Sequence, residues 1–373
     1  MTRSFTYTAL PGRVVFGAGA ARMSLVAEVV ALGRGRILVV AGQAEAALAD
    51  ELCVALDDVV VGRFDQVRQH VPIEIAKAAR RHAEAVGADL LLSIGGGSTT
   101  GTAKAIAITT SLPILAVPTT YAGSEMTPVW GLTEMGRKTT GTDQRVLPQT
   151  VIYDPDLTRS LPGWLSVVSG LNAMAHSVEA FWAAGANPVT DALAAESIAA
   201  LARGLPRVLA DGDDADGRHD ALYGAWLAGA AFAVAGAGLH HKICHALGGR
   251  FDLPHAQTHA VVLPHVLAFN EAAAPTAADR IAAALSGGGA AAAGGATVGT
   301  TAVSAATRLF ELARALDSPL ALRDIGLTEA DLPAAIEVVA DRVADGALPA
   351  NPRPVTRDDV ADILTAAWTG DRP

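Results

Sequence analysis

The sequence is poor in cysteine and in positive charge. Its two cysteines, Cys53 and Cys244, are far apart and cannot form a disulfide framework, which favours a reducing compartment. The formal net charge is −10, and there is no basic stripe of the kind that binds nucleic acid. No uncharged apolar run of about 18 residues could span a membrane, and the N-terminus lacks the apolar core of a signal peptide. We therefore expect a cytoplasmic protein with no nucleic-acid or membrane partner.

Length and composition predict two globular domains. The 373 residues are 51% hydrophobic and 18% charged, which is ordinary for folded proteins, and the chain is long enough for two cores. Short apolar runs at 36–41, 89–94 and 113–117 predict buried parallel strands, with helices between them at 73–85 and up to Ile108. From about residue 165, Ala-rich helical periodicity continues to the end. We predict an α/β dinucleotide-binding domain with a parallel sheet (residues 1–160), followed by an all-α domain (residues 161–373).

Two polar loops follow neighbouring predicted strands. The first opens a helix and contains Gly95, Gly96, Gly97 and Ser98. The second contains Thr119 and Thr120. Glycines let a backbone approach a pyrophosphate, and free N–H groups at a helix start favour anions, so the loops predict a dinucleotide at the carboxyl edge of the sheet. No acidic residue ends the first predicted strand to hold an adenosine 2′-hydroxyl. NADH is still the first choice, and NADPH stays open.

Lysine is rare in a chain that otherwise uses arginine. The four lysines are Lys77, Lys104, Lys138 and Lys242. A retained lysine suggests that a compact ammonium is needed at its position. We expect Lys104 and Lys138 to contact the ribose or phosphates of the cofactor.

Six of the ten histidines lie within 26 residues of one another. They are His240, His241, His245, His255, His259 and His265. Upstream, Asn172 and His176 form an i,i+4 pair that shares a helix face. The spacing is typical of a buried divalent-metal site, but a neutral amide stands where a carboxylate would balance the ion's charge. We therefore predict that no metal is required, and that His240, His259 and His265 are structural.

Taken together, these motifs resemble the iron-containing (group III) alcohol dehydrogenases, and within that family the maleylacetate reductase subgroup. The resemblance spans nearly the whole chain and rests on residues 11–17, 95–104, 118–125, 136–141, 145–148, 153–155, 172–176, 241–255 and 351–354. It matches the family's ligands, one Asp and three His, to Asn172, His176, His241 and His255. It also matches a glycine-loop Asp of the metal-dependent members to Gly101, and both departures are what the subgroup has.

The resemblance implies NAD(P)H-dependent reduction of the conjugated C=C bond of maleylacetate, a small dicarboxylate, to 3-oxoadipate in the degradation of aromatic compounds. It further implies an active site in the cleft between the two domains, and a homodimer. His241 and His245 are the leading candidates for oxyanion stabilisation and proton donation without a metal. His176, His255 and Asn172 would orient the substrate or the other rings.

A dianionic substrate needs a local cationic patch in an acidic protein. The candidates for that patch are Lys138, Arg145 and Lys242, with Arg353 as a weaker one. Tyr121 is a candidate for a hydrogen bond to the substrate. Three alternative functions remain open. They are a metal-dependent alcohol or aldehyde dehydrogenase that tolerates Asn172, a lyase related to dehydroquinate synthase, and a non-catalytic binding paralogue.

Overall fold

The chain forms two compact units in this computed structural model. The structure describes residues 5–10, 12–134, 137–287, 303–344 and 351–373. One unit is Leu10–Leu161, and the other is Pro162–Pro373 together with the segment that precedes Leu10.

The first unit is built on a parallel sheet. The strands of the chain are β1 (Arg13–Phe16), β2 (Ile37–Val40), β3 (Val60–Phe64), β4 (Leu90–Gly95), β5 (Ile114–Pro118), β6 (Val129–Glu134), β7 (Arg137–Thr142) and β8 (Thr150–Tyr153). Six of them form one sheet in the order β1-β8-β5-β4-β2-β3, and every neighbouring pair in it is parallel. β6 and β7 form a separate antiparallel hairpin.

The three predicted strands correspond to β2, β4 and β5, and every residue in them is buried. Parallel strands covered on both faces read as continuous apolar runs, which is why the sequence revealed them. β1 and β3 are the edges of the sheet and are only partly buried. Their runs are therefore weaker, and the sequence pattern did not single them out.

Helices cover the sheet and build the second unit. In the first unit they are α1 (Ala20–Ala31), α2 (Ala46–Cys53), α3 (Ile73–Ala85) and α4 (Gly97–Thr110). In the second they are α5 (Gly163–Ala180), α6 (Pro188–Ala210), α7 (Ala215–Ala235), α8 (Leu239–Phe251), α9 (His255–Glu271), α10 (Pro275–Leu285), α11 (Ala305–Ala315), α12 (Leu332–Ala344) and α13 (Arg357–Thr369). The described part of the second unit contains no strand, which confirms the predicted all-helical region.

Helix α5 is the centre of the second unit. Every residue from Ser166 to Ala180 is buried, and the helix packs against α6, α7 and α9. Glycines allow the helices to approach closely. A Cβ on Gly170 would lie 2.5 Å from the Leu205 side chain on α6, and one on Gly204 would lie 2.6 Å from the backbone N of Ala221 on α7.

No single described helix has both the length and the hydropathy of a membrane span. Helices α7 and α8 have them only when taken together, as a pair bent by 101°.

Asp154, which is fully buried, fastens the end of β8 to the start of α1. Its Oδ1 accepts hydrogen bonds from the backbone N–H groups of Gly19 (2.9 Å) and Asp156 (3.1 Å), and its Oδ2 accepts one from Ala21 (3.1 Å). Because α1 has no side-chain cap of its own, this carboxylate satisfies N–H groups that the helix leaves open.

We expect Asp154→Ala to lower the free energy of unfolding by about 2–4 kcal/mol, because it leaves buried N–H donors without an acceptor. Urea denaturation measures the change. The matched control is Asp156→Ala, which removes an exposed ion pair with Arg159 and should cost less than about 1 kcal/mol. Equal effects of the two substitutions would contradict this account.

Candidate active site

Three helices of the second unit bring the predicted histidines together in a row. α5 carries His176, α8 carries His241 and His245, and α9 begins at His255. Neighbouring ring centroids are 5.0 Å apart for His176 and His241, 6.0 Å for His241 and His245, and 6.1 Å for His245 and His255. Asn172 lies one turn before His176 on the same face of α5. The five residues predicted for the catalytic site therefore converge on one region.

A buried carboxylate that the histidine spacing did not reveal holds this row in place. Glu179 is fully buried on α5. It accepts hydrogen bonds from the backbone N–H groups of Gly238 (2.9 Å) and His240 (2.6 Å), and its Oε2 lies 2.5 Å from His241 Nδ1. Because α8 has no capping side chain of its own, Glu179 acts as a remote cap for this helix.

The sequence did contain a signal for Glu179. Asn172, His176 and Glu179 stand at i, i+4 and i+7, so they share one face of a helix. A carboxylate on such a buried face needs partners, which makes it a site candidate.

Four buried polar atoms in this region have no hydrogen-bond partner among the described residues. They are Asn172 Oδ1, His176 Nδ1, His241 Nε2 and His259 Nε2. Leaving a buried polar atom unpaired costs about 1–3 kcal/mol. Their concentration in one place identifies a site that a polar ligand would complete.

Burial determines the charge of most of these rings. It lowers the pKa of His176, His240 and His259 well below 6.5, and the neighbouring histidines lower it further. These three imidazoles are therefore neutral near pH 7. His241 differs in its contacts, because its Nδ1 lies 2.5 Å from the carboxylate of Glu179.

The positions that match the family's metal ligands hold no anionic side chain here. Within the described residues, His176, His241 and His255 do not form a group whose ligand nitrogens all lie within 4.8 Å. Asn172 is neutral, so these four positions supply no anionic ligand to balance the ion.

A different group of three residues does bring its potential ligand atoms this close together. The ligand atoms of His240, Cys244 and His259 lie within 4.8 Å of one another, and all three residues are buried. However, His240 Nε2 and His259 Nδ1 are hydrogen-bonded at 2.9 Å, and Cys244 Sγ lies 3.7 Å from His240 Nε2. Burial raises the pKa of the Cys244 thiol well above 9.0, which opposes the thiolate that a metal requires. We interpret the trio as a hydrogen-bonded group.

In the first unit, the two predicted cofactor loops pack directly against each other at the carboxyl edge of the sheet. Thr119 donates its N–H to Gly95 O at 3.2 Å. A Cβ on Gly96 would lie 2.8 Å from Thr120 Cγ2, and one on Gly97 would lie 3.0 Å from the Ala122 side chain. Only glycine permits this approach.

The start of α4 is open to an anion. Its first turn contains Gly97 and Ser98, and it has neither a side-chain cap nor an acidic residue. The free N–H groups of such a start suit a pyrophosphate.

Lys104 does not have the predicted role. Its side chain is buried, and Nζ donates hydrogen bonds to the carbonyls of Ser124 (2.6 Å), Thr127 (2.7 Å) and Val129 (2.8 Å). Burial lowers its pKa to about 7. The three donors of the ammonium are thus occupied by the second loop and its continuation. Lys104 supports this loop, and the prediction of a direct cofactor contact is wrong.

Arg145 lies at the amino edge of the sheet. It forms two hydrogen bonds to Asp143, at 3.0 and 2.7 Å. It lines a cavity of about 570 Å³ with Gly12, Pro113 and Gln149, residues that precede β1, β5 and β8. The glycine loop lies at the opposite edge of the same sheet, and the contact of Arg145 with a substrate stays a prediction.

The other predicted contacts have mixed outcomes. Lys242 lies on α8 beside His241 and is half-buried, whereas Tyr121 is fully buried just after β5. Their contacts with a substrate stay predictions. The side chain of Lys138, on β7, lies outside the described residues.

We expect the free energy of unfolding to fall as the pH drops below about 6.5. The folded-state pKa values of His176, His240 and His259 are depressed, so the unfolded chain binds protons that the folded chain does not. Their contribution is complete above the unfolded pKa and is lost as the pH falls towards the folded values. Each ring contributes a slope of up to about 1.4 kcal/mol per pH unit.

Urea denaturation at about pH 7.5 and about pH 5.5 measures this slope. His219→Asn, at a half-exposed side chain, is the control and should keep it, whereas His259→Leu should reduce it. A stability that is flat over this range would contradict the assignment of neutral buried rings.

Comparison with known proteins agrees with this geometry. The family "Iron-containing alcohol dehydrogenase" matches residues 11–155, and "Fe-containing alcohol dehydrogenase family, C-terminal" matches residues 166–368. Maleylacetate reductase of Sphingobium indicum is 46% identical over 98% of both chains, and that of Burkholderia cepacia is 47% identical over 99% of both. The crystal structure of maleylacetate reductase from Agrobacterium tumefaciens is 41% identical, with a TM-score of 0.90 over 100% of both chains. The predicted resemblance is confirmed, and the chain belongs to the iron-containing alcohol dehydrogenase family.

Proposed function

We propose that this chain reduces maleylacetate to 3-oxoadipate with NADH. The observation that carries the proposal is the row of imidazoles anchored by Glu179. Several polar atoms in this region are buried and have no partner among the described residues. An amide, Asn172, stands where the family has a carboxylate. The relatives named maleylacetate reductase, similar over nearly their whole length, support the same substrate.

The reaction adds a hydride and a proton across a carbon–carbon double bond. When bound, the nicotinamide supplies a hydride to the alkene carbon that is β to the ketone. The electron pair of the double bond then moves onto the ketone oxygen as an enolate, and the α carbon takes up a proton. The balance is maleylacetate, NADH and one proton on one side, and 3-oxoadipate and NAD⁺ on the other.

His241 is placed to stabilise the enolate oxygen. Its Nδ1 is held by the Glu179 carboxylate, and its Nε2 is buried and open. An N–H on this nitrogen would donate to the oxygen on which negative charge develops. His176 stacks on it at 5.0 Å and Phe232 packs at 4.7 Å, so the ring is fixed in orientation.

His245 and Lys242 complete the proposed site on the same helix. His245 is half-buried, and its ring stacks on that of His255 with centroids 6.1 Å apart. We regard it as the candidate proton donor to carbon. Lys242, also half-buried, is the candidate for a substrate carboxylate, because a dianion needs a compensating cation.

Glu45 favours NADH over NADPH. It follows β2, which is the neighbour of β4 in the sheet, and its Oε2 lies 2.9 Å from where a Cβ on Gly42 would stand. The carboxylate therefore folds back over the end of the strand. There it can accept a hydrogen bond from a ribose 2′-hydroxyl and would repel a 2′-phosphate. The expected homodimer and cytoplasmic location stay predictions.

The direct test is NADH oxidation with freshly generated maleylacetate, with and without EDTA. We expect turnover that EDTA leaves within about twofold, and a kcat/KM at least about tenfold lower with NADPH, a difference of about 1.4 kcal/mol. Absence of turnover with maleylacetate, together with zinc- or iron-dependent turnover of simple alcohols, would favour the metal-dependent alternative.

A second test concerns the anchor of His241. We expect Glu179→Gln to lower kcat about 100-fold, because the His241 ring loses its hydrogen bond to a carboxylate at Nδ1, with a much smaller change in KM. Glu179→Asp keeps the charge and should recover part of the loss.

The control for this test is Glu196→Gln, which alters a carboxylate on α6 that lies 3.7 Å from Arg203. It should leave kcat within about twofold of the parent. Thermal unfolding of each variant separates loss of fold from loss of function. A kcat loss below about tenfold in a folded Glu179→Gln variant would remove Glu179 from the mechanism.

A further inference from the structure

His259 occupies the centre of the histidine cluster. Its ring centroid lies 4.4 Å from that of His255, 4.8 Å from that of His240, 4.9 Å from that of His241 and 6.2 Å from that of His245. The sequence analysis predicted a structural role for this residue. The contacts with four other imidazoles place it inside the proposed active site instead.

The two ring nitrogens of His259 are in different situations. Nδ1 is hydrogen-bonded to His240 Nε2 at 2.9 Å. Nε2 is buried and has no partner among the described residues. The side chain is fully buried, so water does not readily satisfy this atom. A ring that is anchored through one nitrogen and open at the other is oriented for a ligand.

The hydrogen bond between His240 and His259 bears on the proton of the open nitrogen. His240 Nε2 and His259 Nδ1 share one proton at 2.9 Å, and the thiol of Cys244 donates to the carbonyl of Thr258 at 3.9 Å. When His240 Nε2 is the donor of the shared proton, the proton of neutral His259 stands on its Nε2.

We propose that His259 is a further catalytic residue, whose Nε2–H donates a second hydrogen bond to the ketone oxygen of the substrate, and that His240 is a positioning residue that fixes this ring. The inference rests on the proposed function. The donor on His259 and the donor on His241 form a two-donor oxyanion site, and both rings are held by hydrogen bonds before the substrate binds.

The chemistry of the oxygen explains why two different donors are present. The ketone oxygen is neutral in the substrate and gains negative charge only as the hydride arrives. Donors aimed at it therefore strengthen mainly in the transition state and act on kcat. The carboxylates of the substrate carry their charge throughout, so contacts with them act mainly on KM.

The test compares two buried histidines of the same helix, His259 and His265. His265 also has an unpaired Nε2, but its ring neighbour is Phe310, at 6.4 Å. We expect His259→Leu to lower kcat for maleylacetate by about 100- to 1,000-fold, the usual effect of removing one oxyanion donor. His259→Gln, which keeps an N–H donor, should recover at least about tenfold, and His265→Leu should stay within about threefold of the parent.

The positioning role of His240 is tested by non-additivity. His240→Asn should lower kcat about tenfold with little change in KM, whereas the double variant with His259→Leu should be no slower than His259→Leu alone. Independent, additive losses would overturn the assignment of His240 as the residue that positions His259.

A measurement on the unaltered enzyme covers the case in which a variant fails to fold. With ¹⁵N-labelled histidine, adding 3-oxoadipate with NAD⁺ should shift one Nε2–H resonance, and the same resonance should be missing in His259→Gln. No shift of this resonance while other histidine signals respond would overturn the role of His259.

The two proposals fail in different ways. Parent enzyme that turns over maleylacetate while His259→Leu matches His265→Leu rejects the role of His259 alone. Parent enzyme with no turnover of maleylacetate rejects the proposed function, and the role of His259 with it.

Discussion

The carboxylate of Glu179 is the interaction on which the candidate site depends. It joins the last turn of α5 to the start of α8 through two backbone N–H groups and the His241 ring. A buried charge is tolerated only where such partners surround it. Gly238 is part of the same arrangement, since a Cβ there would lie 2.6 Å from Glu179 Oε1. The position of one ring therefore depends on a helix contact, a cap and a glycine together.

The same principle recurs at His259, with neutral groups. One ring nitrogen of His241 is hydrogen-bonded to a carboxylate, and one ring nitrogen of His259 is hydrogen-bonded to His240. The other nitrogen of each ring has no partner among the described residues. Open buried nitrogens reduce stability, and folded proteins tolerate such atoms mainly where a ligand uses them. In the mechanism that we propose, two donors fixed by different partners suit an oxygen whose charge changes during the reaction, at a site where Asn172 supplies no anionic ligand.

Close backbone packing has a comparable function in the first unit. Gly96 approaches Thr120 so closely that a Cβ would stand 2.8 Å from it, and Lys104 ties the second loop down through three carbonyls. The rarity of lysine suggested that a compact ammonium is needed at this position. The ammonium binds the protein's own carbonyl groups. Arg145 illustrates the converse. Its position in a motif said nothing about which edge of the sheet it would occupy.

The sequence alone determined the fold class, the family and the residues that converge. Continuous apolar runs revealed β2, β4 and β5, since parallel strands are buried on both faces, and i,i+4 spacing placed Asn172 with His176 and His241 with His245 on shared helix faces. The edge strands β1 and β3 were not evident, because half-exposed strands carry weaker patterns. Only the tertiary structure decided which groups Glu179, His240 and His259 contact. It also showed that Lys104 binds backbone carbonyls and that Arg145 pairs with Asp143. Partners such as Glu179 and His241 are 62 residues apart in the chain, and no local pattern records which buried polar atoms meet across helices or which of them stay open.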